Sequence, residues 1–267
     1  MLLSLVMPYY MNPRMLAWQL RVWRGEWSEA IKEQVEIIIV DDGSPTETAE
    51  EILKLLVAEA TTLVGLPKIS LYRVLEDRPW HQHGARNLGA HVATGKWLFM
   101  TDMDHVIPAS TMAEVLRLLP TLHKSKVLTF GRVDAPATLT WKADHWTEFA
   151  RTRREDGSLK PHVNSFVVSR KRYWKLGGYD EDLCGIYGTD KHFRSRLFGA
   201  HTVEQHIDYA PIIRVDRDVI ADASTRNVNR DDPERGKKKS RVLARKVSEG
   251  RSRQITTLNF TWERVIL

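Results

Sequence analysis

Four short, largely apolar runs, each ending on a polar cluster, constrain this chain more than any other feature. They are Leu2 to Met7, Val35 to Val40, Ile69 to Val74 and Lys96 to Thr101. Runs of this length and composition are the pattern of strands buried on both faces. Helical signals lie between them. Asn12-Pro13 offers an N-cap and a proline at the first helical position, with Leu16, Leu20 and Trp23 at helical spacing behind it. Ser44-Pro45-Thr46-Glu47 has the spacing of a capping box and opens a second predicted helix carrying Ile52, Leu55 and Leu56. Gly84 to Thr94 reads as a third, stopped by Gly95, and Ser110 to Leu122 as a fourth. The alternation βαβαβαβ with short loops predicts an α/β fold, a single mostly parallel sheet with helices on both faces.

The second half is less regular. Val127 to Phe130 and Asn164 to Val168 read as strands, Thr189 to Leu197 as a short helix, and Trp141 to Arg153 as either helix or loop. The chain has 267 residues, 42% of them hydrophobic, enough for a proper core. One cysteine, Cys184, excludes an intramolecular disulfide framework and a multi-cysteine zinc site. No apolar run reaches the roughly 18 residues of a membrane span. The N-terminus has no basic region and meets Pro8 too early for a signal peptide. The expectation is a soluble cytoplasmic protein.

Charge is unevenly placed. The formal net charge is +6, but Arg235 to Arg253 holds nine Lys/Arg and one acidic residue, so the rest of the chain is slightly acidic. Such a segment suits a polyanion partner, or is a solvated helix that maintains solubility.

In an open α/β sheet, ligands bind beyond the carboxyl ends of the strands. Here those ends read Pro8-Tyr9-Tyr10, Asp41-Asp42-Gly43-Ser44 and Asp102-Met103-Asp104-His105. Crowded carboxylates repel and need a cation or a hydrogen-bonding ligand. A nucleotide supplies both when Mg²⁺ or Mn²⁺ sits on its phosphates.

Five segments follow one another in order: Ser4 to Tyr10, Ile39 to Ser44, Gly84-Ala85-Arg86-Asn87-Leu88-Gly89, Trp97 to His105, and Gly177-Gly178-Tyr179-Asp180-Glu181 with Gly188-Thr189-Asp190 behind it. Together they resemble glycosyltransferase family 2, the inverting enzymes of the GT-A fold. The resemblance implies a metal-dependent glycosyltransferase that takes its sugar from a nucleotide sugar, UDP being the family's commonest nucleotide. It also implies a donor half over residues 1–125, an acceptor half over 126–228 and a basic extension over 229–267, with Asp231-Asp232-Pro233 near the edge.

Roles follow from the resemblance. Pro8 and Tyr9 would border the nucleobase, Tyr9 by stacking. Asp41 or Asp42 would accept hydrogen bonds from base or ribose, and Arg86 would sit near the diphosphate. Asp102 would bind ribose or, through water, the metal, and Asp104 would hold the metal directly. His105 departs from the second Asp of many relatives; an imidazole there ligates Mn²⁺ or faces solvent. Asp216, Asp218 or Asp222 would replace a third metal ligand, or water would. Asp190 would be the general base, with Thr189 in place of the usual Glu. Asp180, Glu181 and Asp182 would touch acceptor or donor hydroxyls, or are loop charges, and Trp174, with Trp141 and Trp146, lies in the acceptor half where it would stack on a sugar or a base. Trp80-His81-Gln82-His83 reads as an exposed or donor-facing loop rather than a zinc pair.

The acceptor is read as a saccharide or glycoconjugate, or as a hydroxymethylated base of DNA held by residues 235–253 together with Arg151, Arg153, Arg154, Lys160, Arg170, Lys171 and Arg172. Two other classes compete. A non-catalytic nucleic-acid-binding protein would not need Asp104 or Asp190. A nucleotidyltransferase would carry a glycine-rich loop after strand one, where this chain has Pro8-Tyr9-Tyr10.

Overall fold

The computed structural model describes residues 1–60, 65–138, 140–199, 201–224 and 231–266. In chain order its elements are β1 (Leu3–Tyr9), α1 (Pro13–Gly25), α2 (Glu29–Lys32), β2 (Val35–Asp41), α3 (Ala49–Ala60), β3 (Lys68–Val74), α4 (Gln82–Val92), β4 (Trp97–Met100), β5 (His105–Val106) and α5 (Ala109–Leu118). The second half contributes β6 (Lys126–Asp134), β7 (Ala150–Arg151), β8 (Pro161–Ser169), α6 (Arg170–Lys175), α7 (Lys191–Leu197), β9 (Val203–Arg214), α8 (Arg235–Ser248) and β10 (Trp262–Val265).

All the strands belong to one sheet, ordered β10-β3-β2-β1-β4-β8-β6-β9-β5, with β7 on β6. It is parallel through β3-β2-β1-β4, as the alternation predicts. Beyond β4 it is mixed: β8 runs antiparallel to both β4 and β6, while β6 and β9 are parallel. Side chains of β1 alternate between two cores, as a period of two requires. Leu3, Leu5 and Met7 enter the larger core with α1 and α5, and Val6 the smaller one with α4 and α7. Chain order reverses between β1 and β4, which opens a crevice beyond their carboxyl ends.

Three local expectations are corrected. Asn12 does not cap α1; its side-chain oxygen accepts from Tyr10 N, and the Asp222 carboxylate caps the helix instead, accepting from Arg14 N at 2.7 Å and Met15 N at 3.1 Å. The capping box of α3 lies four residues beyond the predicted one: Thr48 N donates to Glu51 Oε2 at 2.8 Å and Glu51 N to Thr48 Oγ1 at 3.2 Å. Asp41 orders the intervening turn, accepting from Ser44 N at 2.9 Å and Ala49 N at 2.8 Å. Trp141 to Arg153 is neither a regular helix nor a free loop, but a 3₁₀ segment over Ala143–Glu148 followed by β7.

The C-terminal residues return to the sheet. β10 pairs antiparallel with β3, Trp262 opposite Val74 and Val265 opposite Leu71. The expected boundary at 228/229 lies outside the described residues. Among the described residues, no helix is long and apolar enough to cross a membrane.

Candidate active site

A cleft of about 1110 Å³ opens beyond β1 and β4. Pro8 and Tyr9 from β1, Asp42 after β2, Asp102, Asp104 and His105 around the start of β5, and Asp190 before α7 all line it. Seven expected residues therefore converge there from four separate chain segments, and Asp216, one of the candidates for a third metal ligand, joins them from the turn after β9.

Each is held by identifiable bonds. Gln19 Nε2 on α1 donates to the carbonyls of Met103 and His105, both at 2.9 Å, and fixes the Asp102–His105 turn. Asp102 is the most heavily engaged carboxylate. It pairs with the buried Arg86, accepts from Asn164 Nδ2 at 3.2 Å and lies 3.5 Å from His162 Nε2. Burial acts to raise the Asp102 carboxyl, but the Arg86 guanidinium overrides it and holds the group at about 2. Arg86 thus lies beneath the cleft floor, with its Nε and Nη1 lacking partners among the described residues. Asp104 bonds His105 Nδ1 at 2.7 Å, and the His105 ring stacks on His162 with centroids 3.6 Å apart. His105 is buried, so the solvent-facing option is excluded. Burial, and then His105, push the His162 imidazole well below its ordinary value.

Several expected residues lie elsewhere. Asp41 is spent on its turn, which leaves Asp42 as the member of that pair facing the cleft. Tyr9 touches the cleft, but its ring is fully buried and its hydroxyl donates to the Glu47 carbonyl, so no ring face is offered to a base. Asp222 is used as the cap of α1, not as a metal ligand. Asp180 pairs with Lys246 Nζ at 2.6 Å. Glu181 accepts from Asn87 Nδ2 at 2.8 Å, Leu258 N at 2.6 Å and Asn259 N at 2.9 Å. Trp174 packs against the smaller core, its indole N–H donating to the Ala90 carbonyl at 3.4 Å. His81 and His83 are buried rather than exposed: His81 meets the edge of Phe260, and His83 stacks on Tyr179. Burial and the neighbouring Arg86 bring the His83 imidazole down to about 3.

Of the loop expected to be exposed or donor-facing, Trp80 and Gln82 line the cleft; His162, Asn164 and Tyr187 were missed by sequence reasoning. Only the topology brings His162 and Asn164 to Asp102, because β8 inserts antiparallel beside β4.

The Asp42 carboxyl is pushed up by burial to about 6, although His81 Nδ1 lies 3.4 Å away and acts to lower it. A raised carboxyl favours folding at low pH and loses that contribution as pH rises through its folded value. The Asp42 contribution to stability should therefore fall between about pH 4 and about pH 6, by about 3 kcal/mol. In Asp42→Asn this decline should be absent, which melting temperatures across that range would reveal.

Among curated protein sequences none matches the chain. TarS of S. aureus bound to UDP-GlcNAc is similar in structure, with TM-score 0.56 and 16% identity over 81% of this chain and 59% of that one. The mannosyltransferase PcManGT of Pyrobaculum calidifontis with GDP-Man and Mn²⁺ has TM-score 0.56 and 15% identity, over 92% of this chain and 64% of that one. GalNAc-T7 with UDP, GalNAc and Mn²⁺ has TM-score 0.60 and 14% identity, over 91% and 47%. The chain thus spans about half to two-thirds of the length of these structures, and at such identities they share its fold. The fold is GT-A. The model of one family, Glycosyl transferase family 2, matches residues 4–179, from β1 to the turn that precedes Asp190. By that match, which takes in the β1 rim, Asp42, Arg86 and the Asp102–Asp104 turn, the chain belongs to glycosyl transferase family 2.

Proposed function

We propose that this glycosyltransferase moves a sugar from a nucleoside diphosphate sugar to a hydroxyl acceptor with inversion, and that the acceptor is a saccharide or glycoconjugate. The observation carrying this reading is the meeting of Asp42, Asp102, Asp104 and Asp190 in one cleft. The acceptor hydroxyl oxygen bonds to the anomeric carbon as the bond to the diphosphate breaks. Asp190 takes the hydroxyl proton, and the nucleoside diphosphate leaves with the bonding electron pair.

Metal fit depends on the nucleotide. Among the described residues, no three His, Cys, Asp or Glu side chains form a group that holds an ion by itself. Asp104, partly exposed and bonded through one oxygen to His105, suits Mg²⁺ or Mn²⁺ that is completed by phosphate oxygens and water. Bound there, the ion supplies charge neutralisation on the leaving diphosphate. Asp102, committed to Arg86 and Asn164, serves as an ionised hydrogen-bond acceptor for ribose.

The C-terminal cations favour a saccharide acceptor over DNA. Lys246 and Arg251 pair with Asp182, Lys237 with Glu234 and Lys238 with Asp232, so much of the basic segment is balanced within the chain.

Nucleoside diphosphate release should be measured from UDP- and GDP-sugars with Mn²⁺, in wild type and Asp104→Asn. Each would be assayed with methyl glycosides and with 5-hydroxymethylcytosine DNA. We expect metal-dependent release that Asp104→Asn abolishes and glycosides raise. Acceleration by the modified DNA alone would replace the saccharide reading, and no release from any donor by folded protein would refute transfer.

A further inference from the structure

Of the nine tryptophans, Trp80 alone lines the cleft among the described residues. It stands beside Tyr187, which lines the same cleft three residues before Asp190. The ring centroids are 5.8 Å apart and the planes are inclined at 62°. An edge-on pair leaves each ring at least one face that the other does not cover, so the two make a corner rather than a closed stack. The Trp80 indole N–H has no hydrogen-bond partner among the described residues.

The corner is built at conformational cost. Trp80 has φ +51°, a left-handed backbone that a bulky residue rarely adopts. It is held there from both sides. His81, the next residue, is fully buried against Phe260, and the Trp80 carbonyl accepts from Gly185 N at 3.3 Å. Tyr187 sits between Gly185 and Gly188, at φ +76° and +78°. Arg235 at the start of α8 lies 5.7 Å over its ring. Thr189 turns inward, its hydroxyl donating to the Leu183 and Ile186 carbonyls at 3.0 and 2.8 Å, which holds the Tyr187 loop directly before Asp190.

We propose that Trp80 and Tyr187 form the seat of a pyranose ring beside Asp190. The proposal rests on the transfer reading for what Asp190 does, but not for the seat itself. A pyranose chair carries an apolar face of C–H groups that packs on an electron-rich aromatic face, and hydroxyls around its rim that meet a polar handle such as an indole N–H. A planar base would be gripped between parallel rings, and the 62° corner offers no such slot.

The test uses the full chain and methyl β-D-glucopyranoside and methyl β-D-galactopyranoside as probes, titrated while the indole N–H resonances are recorded. The Trp80 signal is identified by its loss in Trp80→Phe. The expected result is millimolar binding that shifts the Trp80 signal. Read from the glycosides' own saturation-transfer signals, Trp80→Ala should weaken binding at least tenfold and Tyr187→Leu several-fold, while Trp262→Ala, on β10 at the edge of the sheet, leaves it unchanged. Competition by UDP-GlcNAc but not by UDP would assign the seat to the donor's sugar; binding that persists with UDP-GlcNAc present would assign it to the acceptor. The seat is refuted if neither glycoside moves the Trp80 signal, with or without UDP and Mn²⁺, or if both variants bind as wild type does. It is equally refuted if 5-hydroxymethyl-2′-deoxycytidine binds the corner and the glycosides do not. UDP affinity with Mn²⁺, measured separately by calorimetry, reports on the nucleotide reading, so failure there is distinguishable from failure of the seat.

Discussion

Replacing Asp190 with asparagine should slow sugar transfer by about 10²–10⁴-fold, the usual contribution of a general base. The amide keeps the size of the side chain but cannot take the acceptor proton. Little stability should be lost, because Asp190 sits at the start of α7 without making a side-chain capping bond. Nucleotide affinity should also hold, since Asp42, Asp102 and Asp104 are untouched. The check is a single-turnover rate together with a UDP titration and a thermal melt of the same sample. A variant that transfers within about fivefold of wild type would remove Asp190 from the mechanism.

Lys246→Ala should destabilise the fold by about 3 kcal/mol, the lower end of the cost of leaving buried charges unpaired. Lys246 is 2% exposed and lies 2.6 Å from Asp180 Oδ2 and 2.9 Å from Asp182 Oδ2. Burial acts to raise the Asp182 carboxyl, but the bonds from Lys246, Thr256 and Arg251 hold it at about 2. A depressed carboxyl stabilises above its unfolded value and loses that contribution as pH falls. The difference between variant and wild type should therefore be full above about pH 4 and shrink toward about pH 2. Lys237→Ala, on the exposed side of the same helix, should cost no more than about 0.5 kcal/mol. Denaturant unfolding of the three proteins separates these outcomes; equal losses would show that α8 is a solvated appendage.

The strap from α8 to β10 explains why the motif around Gly177 carries so many acidic residues. Asp180, Glu181 and Asp182 resemble substrate ligands when read as a string, because a run of carboxylates in a glycine-rich turn is a common site composition. Folded, they are the docking points of the C-terminal segment: Glu181 receives the backbone of Leu258 and Asn259, and Thr256 Oγ1 donates to Asp182 at 2.7 Å. Gly177 has φ +84°, and a Cβ there would stand 2.4 Å from Ile255, so the strap passes where only glycine leaves room.

Local order in the chain determined the strands of the parallel half, the helices between them and the polar strand ends that make the rim. Those features depend on side-chain periodicity and turn chemistry within a dozen residues, both of which are written in the sequence. Tertiary structure alone decided which carboxylate does what. Asp41 and Asp42 are chemically identical neighbours, yet one closes a turn and the other faces the cleft. Asp102 and Asp104 differ because Arg86 and Asn164 approach only the first. Asp222 caps a helix more than 200 residues earlier in the chain, and Trp80 meets Tyr187 across two loops. These pairings are set by strand order and by which loops cross the rim, and no spacing along the chain encodes a contact between segments that only the folded sheet brings together.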